Sequence, residues 1–213
     1  MSNKDIKING LTHRGGQIDV VDCGAYLRCY RHENKTLATR SGRLWSLMNE
    51  RCKEGSAEQT KHRTYVGCIN GFADFQHFAE WCQIQIGYMN KNTKGQFWQL
   101  DKDILVKGNK IYRPDRCVFI PSELNKLLTK RSNDRGEYPI GVTRDCNSYR
   151  AQMERKLLGK SRLSKFFKTP EECFMFYKEQ KEKYIKDVAK MYEGLVDQRV
   201  IVALNKYEVN IDD

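Results

Sequence analysis

The sequence predicts an α+β protein, and three observations lead to that fold class. Three short strand candidates separated by turn-forming residues follow one another within 140–167. A helix with an N-terminal capping pattern comes directly after them at 169–194. Two shorter amphipathic helices and two extended segments occupy 43–128. These segments together predict a mixture of helices and small sheets.

Composition points to an anionic partner. The 213 residues suffice for one large domain or two small ones, and 39% hydrophobic with 11% aromatic residues can form a core. The formal net charge is +11, with a local basic cluster at 155–168. Cationic side chains gain affinity for nucleic acid by releasing its counterions, so a phosphate-binding surface is one interpretation. A solvated basic surface is the other.

The sequence shows no features of a membrane protein, an exported protein or a zinc-binding protein. The longest apolar runs are far shorter than a membrane span, and the first residues lack an apolar signal region, so neither a membrane protein nor export is expected. The eight cysteines form no Cys-x-x-Cys pair and no cysteine–histidine cluster with zinc spacing. We therefore predict reduced, mostly buried thiols in an intracellular protein, and no zinc.

The first half of the chain predicts two helices after a short strand pair. Residues 20–30 are predicted to form the strand pair, and 32–42 a polar loop. The segment 43–53 has an apolar residue every fourth position, which indicates a short amphipathic helix. A second helix is predicted within 72–87, with an apolar stripe that leaves His77 outside it as a surface residue. The stripe consists of Phe75, Phe78, Ala79, Cys82 and Ile86.

The middle of the chain predicts a hairpin, a helix and a linker. Residues 97–121 form two short extended segments joined at 107–110, where a Gly-Asn pair favours a turn. A helix is predicted at 122–128 with Ser122 as its N-cap. The polar, glycine-containing segment 129–138 is predicted to link two modules.

The second half predicts three strands, a long helix and a tail. The strands are expected at 140–145, 148–154 and 162–167. In the helix at 169–194, Thr169 is the expected cap, Pro170 lies in the first turn, and Glu172 completes a capping box. One face of this helix is apolar and is predicted to pack in a core. The tail at 194–213 is predicted to add a strand or to pack back along the core.

The segment LDKDILVKGNKIYRPDRC, residues 100–117, raises the question of a metal site. A hairpin followed by a helix can bring a carboxylate close to an amide oxygen. Hard oxygen ligands of this kind suit Mg²⁺, which can bind a scissile phosphate and stabilise its leaving oxygen. A polar turn without metal explains the same spacing, and the residues alone leave both interpretations open.

Residues 44–128 resemble the HNH (His-Me finger) endonucleases encoded by bacteriophages. The resemblance rests on WSLMNERC, FADFQHFAEW, LDKD, GNK, YRPDRC and SELN, which occur in the order of that family's pattern. It implies a small ββα-metal module in which Asp101 and Asn125 bind Mg²⁺ or Mn²⁺. Lys102 stands where the family places its water-activating histidine, and Arg116 where an asparagine steadies the loop.

These two departures leave the chemistry open. An ammonium group is a poor base at neutral pH, so Lys102 acts either as a base after losing its proton or as a charged group that stabilises the phosphate. Loss of both expected residues also fits a site that no longer cuts DNA. Asp101 and Lys102 are the candidate catalytic residues.

Residues 139–193 resemble the Apetala-two-type DNA-binding domain. The matching pieces are PIGVTRD, YRAQM, LSKFFKTPEE and the long helix, whereas the family's sheet tryptophans are absent. The resemblance implies a three-stranded sheet packed on one helix, with the sheet entering the DNA major groove. An ordinary charged sheet face is the alternative. The candidate DNA-binding residues are Arg144, Arg150, Gln152, Arg155, Arg162 and Lys165.

Together the resemblances predict a phage homing-type endonuclease or nickase that acts on double-stranded DNA in the cytoplasm of an infected bacterium. The alternative is a catalytically inactive DNA-binding protein derived from such a nuclease, acting as a regulator or an antagonist of host machinery. A module that binds a host protein or structured RNA is a third hypothesis. The predicted organisation is an N-terminal segment of unclear role (1–43), the nuclease-like module (44–128), the linker (129–138), the DNA-binding module (139–193) and the tail (194–213).

Overall fold

The computed structural model describes residues 18–128 and 137–213 and confirms a mixed α and β fold with small sheets. The chain divides into two compact units. The first comprises Met1–Asn90 and Leu100–Phe119, and the second comprises Lys91–Gln99 and Ile120–Asp213. Most of the predicted linker, residues 129–136, lies outside the described residues.

The first unit begins with two small antiparallel hairpins. Strands β1 (Val21–Asp22) and β2 (Ala25–Tyr26) pair, as do β3 (Cys29–His32) and β4 (Lys35–Ala38). The prediction of a polar loop at 32–42 was therefore wrong. The turn between β3 and β4 consists of Glu33 and Asn34, both with positive φ, and lacks the glycine by which such turns are usually recognised.

Three helices follow in the first unit. They are α1 (Arg40–Cys52), α2 (Ala57–Lys61) and α3 (Phe75–Gln83). Helix α1 begins three residues before its predicted start because Thr39 caps it, accepting a hydrogen bond from the Gly42 amide at 3.0 Å. Helix α3 ends before Ile86, which is exposed, whereas the other four residues of the predicted stripe are buried. His77 is exposed, as predicted.

The predicted hairpin at 97–121 forms in part, because strands at the outer ends of its two extended segments pair with each other. Strand β6 (Gln99–Asp101) pairs with β8 (Val118–Ile120), and β7 (Ile111–Tyr112) pairs in parallel with β5 (Ile69–Asn70). Strand β7, at the start of the second extended segment, pairs instead with a strand some forty residues earlier in the chain. Turn chemistry at Gly108 and Asn109 indicates where the chain reverses, but it does not decide which strands form the ladder.

Aromatic side chains form the core of the first unit. Phe78 is fully buried, and its ring centroid lies 5.0 Å from that of Phe72 and 6.0 Å from that of Trp81. Phe119 continues the cluster, with centroids 5.8 Å from Trp81 and 5.1 Å from Tyr88. These contacts tie α3 to strand β8 and so fix the framework beside the turn that follows β6.

The second unit contains the three predicted strands and the long helix. Its elements are α4 (Ser122–Leu127), β9 (Val142–Asp145), β10 (Ser148–Arg155), β11 (Lys160–Phe167), α5 (Pro170–Met191) and α6 (Gln198–Asn205). The strands form one antiparallel sheet in the order β11–β10–β9, and α5 packs on all three. The tail forms α6, which packs on α5 with Val200, Ile201 and Leu204 buried, so of the two predicted alternatives packing along the core is confirmed and a strand is not.

Capping explains the helix boundaries of this unit. The Thr169 side chain accepts from the Glu172 amide at 3.2 Å, and Pro170 is the first residue of α5, as predicted. Ser122 was wrong as the cap of α4, because the cap position is Pro121, which makes no side-chain hydrogen bond. On the predicted apolar face of α5, five residues are buried and Met191 is exposed. The buried residues are Phe174, Tyr177, Tyr184, Ile185 and Val188.

All eight cysteines lie in the described residues and are free thiols. Four of them are buried: Cys68, Cys82, Cys117 and Cys173. Within 18–128 and 137–213, no helix is long and apolar enough to cross a membrane.

Candidate metal loop and nucleic-acid interface

Asp101 ends strand β6 and holds together the turn that follows it. Its side chain is buried, and Oδ1 accepts hydrogen bonds from the backbone amides of Asp103 at 3.0 Å and Ile104 at 2.7 Å. Because the carboxylate replaces water as the acceptor for two amides, it stabilises a turn that carries no regular ladder. Among the described residues, the second oxygen, Oδ2, accepts no hydrogen bond.

The environment of Asp101 disfavours its charged form. The pKa of this carboxyl group is raised from 3.8 to about 6, chiefly by burial and then by the charge of Asp103. The two backbone hydrogen bonds and the charge of Lys102 act in the opposite direction and lower the pKa. The carboxyl group can therefore change its protonation state in the weakly acidic range.

Lys102 is buried and already bonded within the same loop. Its Nζ donates to the Asn109 carbonyl at 2.9 Å and lies 3.2 Å from Oδ2 of Asp103. Asn109 returns the contact by donating from Nδ2 to the carbonyls of Lys102 at 2.6 Å and Ile111 at 2.9 Å. The lysine therefore ties the two ends of the loop together. Its predicted role at a scissile phosphate stays a prediction.

The predicted second metal ligand and the predicted loop-steadying residue are Asn125 and Arg116. Asn125 belongs to the second unit, where its Nδ2 donates to Oε1 of Gln99 at 3.1 Å. Arg116 lies in the turn before β8, with Nε 3.3 Å from Oδ2 of Asp115. Within the described ranges no group of three or more histidine, cysteine, aspartate or glutamate side chains could hold a metal ion. Metal binding by Asp101 and Asn125 stays a prediction.

The sheet of the second unit has one face covered by α5 and one that points away from the helix. Val142, Ala151 and Met153 are buried and mark the helix-facing side. Cross-strand partners share a face, and neighbours along a strand alternate, so the register assigns the remaining residues. Thr143 pairs with Arg150, and Arg150 with Phe166, on the side away from α5. We call this side the open face.

Three of the predicted DNA-binding residues meet on the open face. Arg162 donates from Nη2 to Oε1 of Gln152 at 2.5 Å, and its Nε lies 3.5 Å from Oε1 of Glu154. Nη1 of Arg150 lies 3.4 Å from Oδ2 of Asp145, and the guanidinium lies 5.9 Å from the ring centroid of Phe166. Two strands thus present two guanidinium groups, an amide and an exposed aromatic ring side by side.

The other three predicted residues lie elsewhere. The register pairs Arg144 with Tyr149 and Lys165 with Ala151, which places both on the helix-facing side of the sheet. The ammonium of Lys165 lies 4.8 Å from the ring centroid of Phe176 in α5. Arg155 lies at an irregularity of β10 and donates from Nε to the Ser161 carbonyl at 3.0 Å. Their roles in DNA binding stay predictions.

Charge is concentrated around this sheet. Residues 142–168 contain eight lysines and arginines but only two carboxylates, a net charge of +6. Both carboxylates, Asp145 and Glu154, form ion pairs with arginines of the open face, and Glu154 also lies 3.7 Å from the ammonium of Lys156. Neither these two residues nor Phe166 were among the binding residues predicted from the sequence. Strict alternation along β9 and β11 could have placed Asp145 and Phe166 beside Arg150, once the register was known.

Comparison with protein-family models, with curated proteins and with solved structures finds no match for this chain.

Proposed function

We propose that the chain is a sequence-directed DNA-binding protein that contacts double-stranded DNA through the open face. The observation that carries the proposal is the grouping of Arg150, Gln152 and Arg162 on two adjacent strands. Arginine pairs with the acceptor edge of guanine and glutamine with the edge of adenine, and an antiparallel ribbon fits the major groove.

The surrounding charge supports duplex DNA as the partner. A net charge of +6 over 142–168 attracts a polyanion, and exposed cations such as Lys156 and Lys160 can contact phosphates at the rim. Phosphate contacts fix the position of the protein on the duplex, and base contacts determine the sequence. The resemblance of 139–193 to a sheet-based DNA-binding domain agrees with base contacts from the sheet and phosphate contacts from the residues around it.

Selection from a pool of randomised duplexes tests the proposal. The full chain is incubated with the pool at physiological salt, and bound DNA is recovered, amplified and sequenced over several rounds. We expect enrichment of one short sequence, with the same result when a chelator is added, because the open face needs no metal. Recovery of DNA with no sequence enriched over the starting pool would contradict the proposal.

A second candidate is the divalent-metal-dependent DNA endonuclease or nickase predicted from the resemblance of 44–128. The observation that favours it is the buried Asp101 carboxylate, whose Oδ2 accepts no hydrogen bond from the described residues and could bind Mg²⁺ or Mn²⁺. The buried, bonded ammonium of Lys102 instead favours the inactive DNA-binding alternative. We therefore place DNA binding first.

The two candidates differ in one measurement. Supercoiled plasmid that carries the selected sequence is incubated with the protein and Mg²⁺ or Mn²⁺. If the protein is a nuclease, it should nick the plasmid, and both a chelator and Asp101→Asn should abolish the nicking. Intact plasmid, with sequence-selective binding preserved in Asp101→Asn, contradicts the nuclease and supports the binding protein.

A further inference from the structure

We infer that Asp145 and Glu154 determine sequence specificity by opposing non-specific attachment of the open face to DNA phosphates. The inference rests on the proposed DNA-binding function and concerns that same face. It assigns a role to two acidic residues in a segment that otherwise attracts polyanions.

The two carboxylates lie among the basic residues of the sheet. They are the only acidic residues in 142–168, where eight basic residues surround them. Each pairs with a different arginine of the open face, Asp145 with Arg150 at 3.4 Å and Glu154 with Arg162 at 3.5 Å. Each guanidinium of this face therefore has a carboxylate beside it.

The two carboxylates weaken the attraction of the open face for DNA phosphates. A phosphate that approaches either guanidinium also approaches a carboxylate, so much of the electrostatic gain is lost. Non-specific DNA binding depends almost entirely on this gain. Discrimination between partners often relies on such a repulsive element as well as on favourable contacts.

The carboxylates do not repel base edges as they repel phosphates, because base edges carry no net negative charge. Guanine presents two hydrogen-bond acceptors to a guanidinium. The cytosine paired with it presents an amino group that can donate a hydrogen bond to a carboxylate. A neighbouring arginine and carboxylate therefore match a G·C pair in the major groove better than they match a phosphate. Both ion pairs are partly exposed to solvent and contribute little to stability, so DNA can separate them at small cost.

The test is the double variant Asp145→Asn with Glu154→Gln, in the full chain. Affinity is measured by fluorescence anisotropy over a salt series, for the selected duplex and for a duplex of random sequence. Because two arginines become free to contact phosphates, the logarithmic salt dependence for random DNA should steepen by about one to two. Affinity for random DNA should rise about fivefold to tenfold, and the ratio of selected to random affinity should fall.

The matched control is Glu171→Gln with Glu179→Gln. Both residues are exposed on α5, and this variant changes the net charge by the same amount. We expect a change of less than about twofold for random DNA, because these charges lie away from the open face. Equal effects of the two double variants would overturn the inference, since net charge alone would then explain them.

The outcome for wild type separates the inference from the function on which it rests. If wild type selects a sequence and the open-face variant binds random DNA no more tightly than wild type, the inference fails and the function stands. If wild type binds no DNA at physiological salt, both fail. Circular dichroism of each variant shows whether the sheet is intact.

Discussion

Gly141→Ala is expected to destabilise the second unit by about 3 kcal/mol or more. Gly141 has φ of +79°, which alanine adopts only with strain. A Cβ atom at this position would lie 2.2 Å from two atoms of the Tyr177 ring, which is buried against the sheet. The ring cannot move aside without opening the packing of α5 on β9. The free energy of unfolding in urea, followed by circular dichroism, measures the effect.

Gly159→Ala is the matched control. Gly159 has φ of +63°, but a Cβ there would meet no atom within 4 Å. This variant therefore incurs only the cost of the left-handed backbone, about 1 kcal/mol. Equal destabilisation by the two substitutions would show that the close approach of Gly141 to Tyr177 contributes nothing, and would contradict the described packing.

Asp101→Asn is expected to gain stability relative to wild type as the pH rises from 4 to 7. Because the folded-state pKa is raised from 3.8 to about 6, folded Asp101 holds a proton between these values when the unfolded chain has lost it. Stability from protonated Asp101 is therefore present below pH 4 and is lost as the pH rises through about 6. Asparagine keeps an acceptor for the two amides and does not titrate.

Urea denaturation of both proteins at pH 4, 5, 6 and 7 measures this effect. The difference in free energy of unfolding between Asp101→Asn and wild type should grow by on the order of 2 kcal/mol across the series. Glu80→Gln, which removes an exposed carboxylate from α3, is the control and should leave the pH profile of wild type unchanged. A difference that stays constant with pH, or that shrinks, would contradict the described burial of Asp101.

Local signals in the sequence predicted the second unit well. Thr169 and Pro170 mark the start of α5, and the apolar spacing that follows predicts its buried face. The turn-forming residues around Cys146 and Gly159 separate the three strands close to their observed ends. Caps, turns and periodicity act over a few residues, so they can be recognised without knowledge of the fold.

Non-local pairing could not be predicted in the same way. Ile111 pairs in parallel with Ile69, some forty residues away, although it follows the turn at Gly108 and Asn109 by only two residues. Such pairings depend on the buried aromatic cluster around Phe119, which forms only in three dimensions. The pattern at 97–121 therefore predicted the extended segments and the pairing of β6 with β8, but not the pairing of β7 with β5.

The candidate sites were predictable only in part, for a related reason. The sequence singled out Asp101 and Lys102 but could not show that their polar atoms bond within their own loop. It singled out six residues of the basic sheet but could not divide them between its two faces. That division depends on the register of β10 with its neighbours and on the irregularity near Arg155.

The affinity of Arg150→Ala with Arg162→Ala for the selected duplex tests the central claim most directly. Each guanidinium is expected to contact a base edge, so the double variant should bind at least about 100-fold more weakly than wild type at physiological salt. The control, Lys183→Ala with Lys190→Ala, removes the same charge from exposed positions on α5 and should lose less than about fivefold. Equal losses in the two variants would contradict recognition of DNA by the open face.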